Sequence, residues 1–140
     1  MMNAATANLT KSLKAEMLRC LAGGIDTPKA DGFLDQLFEV AEALGSVTCM
    51  LAGDRVLRVQ SRDLVLQDVE IPLAKTKLRM LCARLAVRCG EWANRKLAPY
   101  GDLVEFRLPV TNQLFKVHYE NTTSKQAFAI DVGSSPVQLQ

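Results

Sequence analysis

The spacing of apolar residues changes three times along this chain, and those changes restrict the fold more than any motif does. From residue 4 to 44 apolar side chains recur every three or four positions. They alternate from 47 to 70, return to helical spacing over 73–96, and alternate again from 103 to 132. A helix brings one face around every 3.6 residues and a strand every second residue, so the alternation of periods predicts helices, strands, one helix and strands again.

The boundaries follow from turn chemistry. Leu9, Leu13, Met17, Cys20 and Leu21 form the stripe of a first helix over 4–22, stopped by Gly23-Gly24. Asp26 or Thr27 can cap a second helix with Pro28 at its first position, and Gly45 closes it. Its apolar face is Phe33, Leu34, Leu37, Val40, Ala41 and Leu44. Gly32 weakens the first turn and moves the expected start toward Asp31. Residues 47–51 and 55–60 alternate around Gly53-Asp54 and read as a hairpin. A third strand over 63–70 is stopped by Pro72. Leu78, Leu81, Cys82, Leu85, Cys89 and Trp92 mark the long helix over 73–96, with Pro99 and Gly101 at its exit. Three more strands, 103–108, 113–120 and 126–132, are joined by links short enough for hairpins.

The expected fold is therefore α+β in the order ααβββαβββ. An antiparallel sheet of five to six strands is covered on one face by three helices. No internal repeat or second core interrupts it. Residues 1–133 read as a single domain, and 134–140, rich in Gly, Ser and Pro, as a frayed tail.

Alternation also assigns faces. Val104, Phe106, Leu108, Phe115, Val117, Tyr119, Phe128, Ile130 and Val132 must face the helices. Glu105, Arg107, Leu114, Lys116, His118, Glu120, Ala127, Ala129 and Asp131 face away. Keeping core opposite core leaves Glu105 across from His118 or Lys116. The first option would oppose Arg107 to Lys116, so the second is expected. Either register of the last hairpin puts Ala127 or Ala129 beside His118.

Little in the sequence points to chemistry. His118 is the only histidine, and it stands on the outer sheet face away from every cysteine. A catalytic base needs a nucleophile and an orienting group together. The four cysteines, Cys20, Cys49, Cys82 and Cys89, form no Cys-x-x-Cys pair and occupy apolar positions, which reads as buried thiols. Asp31 with Asp35, and Glu39 with Glu42, lie on the polar side of the second helix and read as solvated. No glycine-rich phosphate loop occurs, so neither a metal nor a cofactor is expected. No stretch approaches the ~20 apolar residues of a membrane helix. The first 14 residues lack a signal-peptide core, which favours the cytoplasm.

The strongest functional cue is the basic long helix, on which Lys77, Arg84, Arg88 and Arg95 fall on one stripe. Such a stripe can lie on phosphates or an acidic partner, or be a solvated face. With 17 basic against 15 acidic residues, and no aromatic among the arginines, nucleic acid is not the expected partner.

The element order resembles the layout of two families: the cone-shaped domain of ketosteroid isomerases and nuclear transport factor, and the dimeric secretion chaperones. The first resemblance implies an apolar pocket between sheet and helices, near Tyr119. The second implies a dimeric binding module. Neither carries over a residue role. Three functions compete. One is a non-catalytic interaction module, homodimeric through the outer sheet face around Leu114, His118, Ala127 and Ala129. Another is an apolar small-molecule site or enzyme near Tyr119. The third is a nucleic-acid or acidic-partner surface on the basic helix. The inward set holds only Tyr119 as a titratable group, which favours the first.

Overall fold

The structure, a computed structural model, describes residues 4–21 and 23–133. Helices α1 (Ala4–Leu21) and α2 (Thr27–Leu44) precede strands β1 (Ser46–Leu51), β2 (Val56–Ser61) and β3 (Leu64–Glu70). Helix α3 (Ala74–Ala93) leads to β4 (Gly101–Arg107), β5 (Leu114–Asn121) and β6 (Gln126–Val132). The order is the expected ααβββαβββ. The expected fraying of 134–140 lies outside the described residues, as does Ala22, the last residue of the expected first helix.

All six strands form one antiparallel sheet in the order β3-β2-β1-β6-β5-β4. Each half is a meander, and β1 pairs with β6 to join them. Glu105 pairs with Lys116 and His118 with Ala129. The predicted register therefore holds, and it spares Arg107 a like-charge neighbour by setting it opposite Leu114. In β3 the ladder shifts register opposite Val59 and Gln60, and Leu66 turns into the core there.

The helices cover one face. Helix α1 packs on α2 and β3, α2 on β1 and β6, and α3 across β4, β5 and β6. One apolar cluster lies between the layers, with Phe33, Phe115, Phe128 and Tyr119 among its fully buried side chains.

Helix α2 starts earlier than Gly32 suggests. The Asp26 side chain accepts a hydrogen bond from the Lys29 amide at 2.9 Å, with Pro28 in the first turn. Packing does not force a glycine at position 32, because a Cβ would meet only the ends of two flexible α1 side chains. A Cβ there would lie 2.9 Å from Glu16 Oε1 and 3.0 Å from Arg19 Nη2 of α1. At the other end Gly45 takes the left-handed conformation, φ 94°, and its amide reaches the Ala41 carbonyl at 2.7 Å.

Candidate functional site

The basic stripe of α3 does not form a solvated face. Lys77 is buried, and its ammonium donates to the Leu21 carbonyl at the end of α1. Arg84 makes a bidentate pair with Asp31, at 2.7 and 3.0 Å. Arg88 bonds Asp35 at 2.7 Å, with its guanidinium 4.6 Å from the centre of the Trp92 ring. Arg95 holds Asp102 and donates to the Leu103 carbonyl at 3.1 Å. Each cation is therefore engaged inside the chain. Asp31 and Asp35, expected to be merely solvated, are the partners that fix α2 to α3.

Electrostatics agree with this geometry. The hydrogen bond from Arg84, with Arg88 beside it, holds the Asp31 carboxyl below the usual range. The amide of Ala98, then Arg95, then the amide of Leu103 draw Asp102 down to about 2. Burial pushes the thiols up, Cys20 to about 11 and Cys82 and Cys89 to about 12, with Cys49 also raised well above its usual value. At neutral pH such thiols stay protonated and are poor nucleophiles. All four cysteines are free and buried. No cluster of His, Cys, Asp or Glu among the described residues could hold a metal. Among the described residues no helix is long and apolar enough to cross a membrane.

Tyr119 fills the core between sheet and α3. It is 1% exposed, and its hydroxyl donates to the Ala98 carbonyl. Around it lies the apolar cluster between sheet and helices, where the cone-shaped layout would imply a pocket. Tyr119 instead anchors the connection between α3 and β4 from behind.

The other expected site residues come together on the outer sheet face. One cross-strand row runs Gln60, Thr48, Ala129, His118 and Leu103. The next runs Asp68, Arg58, Met50, Ala127, Glu120 and Gly101. A shallow recess of about 400 Å³ lies over Thr48, Met50, His118, Ala127 and Ala129. Charges of both signs surround it: Arg58 paired with Asp68 at 2.8 Å, Lys125 with Glu120 at 3.1 Å, and Lys116 between Glu105 and Asp131. Leu114 stands at one end of this face, opposite Arg107. Thr48 and Met50 belong to the patch only because β1 pairs with β6, a long-range contact that alternation within single strands could not reveal.

A second surface escaped sequence reasoning altogether. The outward side of α3, opposite its core stripe, presents Thr76, Met80, Ala83, Val87, Gly90 and Asn94, spaced by fours and threes. None is charged. Met80 is 44% exposed and Val87 53%. Beside this stripe a cleft of about 730 Å³ runs between α3 and the connection to β4, with Leu97, Pro99 and the exposed Tyr100 as its far wall. The signal was available as a second apolar stripe on the same helix, but the stronger core stripe and the many arginines masked it.

No protein-family model matches the chain, and a search of curated proteins finds no match.

Proposed function

We propose that this protein is a non-catalytic interaction module that works as a homodimer through the outer face of its sheet. One observation carries the reading: small or apolar side chains at the centre of that face, ringed by charges of both signs. Interface cores are depleted in charge, and Ala127 and Ala129 lose little side-chain entropy on burial. A rim of mixed sign suits a two-fold contact, because each charge on one copy can meet its opposite on the other. Among the described residues the buried titratable groups are Tyr119, four raised thiols and Lys77, whose ammonium is taken up by the Leu21 carbonyl, a set that supports binding over proton-transfer chemistry.

Sedimentation equilibrium across a concentration series tests the reading. The wild type is expected to be dimeric at tens of micromolar, and Ala129→Arg monomeric with an unchanged circular dichroism spectrum. A wild type that stays monomeric, or an Ala129→Arg protein that stays dimeric, would sink it.

A further inference from the structure

From the stripe and cleft on the outward side of α3 we infer a docking site for an acidic, amphipathic helix of a partner protein. The site lies across the helical layer from the proposed dimer face and does not depend on it. A solvent-facing helix side ordinarily carries charged or polar residues. Here the stripe from Met80 to Gly90 carries none, while the helix bears its charges on either flank. Tyr100, 70% exposed, adds a large ring across the cleft. An aromatic and aliphatic floor of this kind is the usual anchor of a binding surface.

The wall is held in place before anything binds. The Ala98 carbonyl accepts from the Tyr119 hydroxyl, and the Ala98 amide reaches Asp102 at 3.0 Å. Arg95 is tied to Asp102 and Leu103, and its amide closes on the Gly90 carbonyl at 3.0 Å. The Asn121 amide bonds the Tyr100 carbonyl at 3.0 Å, and its side chain bonds the Arg79 carbonyl at 3.2 Å. A wall fixed this firmly spares a partner the entropy of ordering it. Gly90 itself is accounted for internally, since a Cβ there would lie 2.8 Å from the Arg95 carbonyl. The close approach open to a partner rests on Ala83 and Ala86 instead.

Charge selects the occupant. Three cations, Arg79, Arg95 and Lys96, border the cleft against one carboxylate, Glu91. Arg95 is engaged by Asp102, but Arg79 and Lys96 have no ion pair or side-chain hydrogen bond among the described residues. A carboxylate-bearing partner would complete them. A helix fits better than a strand. The stripe offers apolar side chains at helical spacing on a helix, whose backbone is already paired, and the edge strand β4 begins only beyond the wall at Gly101, so an extended segment lying on the stripe would leave its own backbone unpaired. From Met80 to Asn94 the stripe is about 21 Å long, which matches roughly four turns of a docked helix.

The test uses the full chain and two stapled helical peptides of about 15 residues. Both have leucines at i, i+3, i+4 and i+7. One carries Glu on its flanks and the other Lys, and binding is read by fluorescence anisotropy. The Glu peptide is expected to bind at least about tenfold more tightly, with the gap narrowing as salt rises. In Arg79→Glu/Lys96→Glu the preference should invert, and in Val87→Asp neither peptide should bind. Both variants alter exposed side chains only. Equal affinity for the two peptides, no binding of either below millimolar concentration, or a Glu preference that survives the double reversal would overturn the proposal. So would a native mass that falls in Val87→Asp, which would give the stripe to a second copy of this chain.

Discussion

The two flanks of α3 carry cations of the same kind and use them differently. Toward α1 and α2, Lys77, Arg84 and Arg88 are spent on a helix-end carbonyl, two aspartates and an indole ring. Toward the connection to β4, Arg79 and Lys96 border an apolar cleft with no partner among the described residues. Basic composition alone therefore says little about binding. What separates structural charge from available charge is whether the fold supplies a counter-group, and that depends on which helix lies alongside.

Mutations within α3 break the comparison most sharply. Leu85 is fully buried and Val87, two residues on, is half-exposed. Leu85→Ala is expected to destabilise the protein by about 2–5 kcal/mol, because a core leucine loses both transfer energy and packing. Val87→Ala should move stability by no more than about 0.5 kcal/mol. Urea denaturation compares the two, and similar losses would mean that Val87 is packed rather than displayed.

The flanks themselves give a smaller contrast. Asp31→Ala leaves Arg84, and in part Arg88, without partners at a partly buried junction, at an expected cost of about 1–3 kcal/mol. Arg79→Ala breaks no pair and should cost no more than about 0.5 kcal/mol. Thermal melts of both variants against the wild type decide it. An Arg79→Ala loss equal to that of Asp31→Ala would show that the two flanks do the same work.

Acidification should weaken the engaged pairs of α3, together with Asp68, which the Arg58 hydrogen bond also holds low on the sheet face. Asp31 and Asp102 titrate lower in the folded protein than in the unfolded chain, where an aspartate titrates near 4. Their contribution to stability is therefore fully present above about pH 5 and is lost as pH falls through about 4 toward 2. In Asp102→Asn the deficit relative to the wild type should shrink over that same window. A deficit independent of pH between 5 and 2 would remove Asp102 from the account.

Local pattern made most of the architecture legible. The two periods located every helix and strand, and the like-charge argument at Arg107 selected the register of β4 on β5. Contacts between distant segments were not legible. Nothing in β1 or β6 alone announces that they pair, so Thr48 and Met50 could not be assigned to the outer patch. Gly32 misplaced the start of α2 because its cost in propensity, about 1 kcal/mol, is outweighed by the Asp26 cap and Pro28 in the first turn. The arginines of α3 showed their charge but not their partners. Met80, Ala83 and Val87 were passed over because they compete with a stronger apolar stripe on the same helix.

The central claim is that self-association and partner docking occupy separate surfaces, the outer sheet face and the outward side of α3. Light scattering on a sizing column tests it most directly, with wild type, Ala129→Arg and Val87→Asp run at the same tens-of-micromolar concentration. The account predicts twice the 15.4 kDa of one chain for the wild type and for Val87→Asp, and 15.4 kDa for Ala129→Arg. A wild type of 15.4 kDa, or a mass that falls in Val87→Asp and holds in Ala129→Arg, would contradict it.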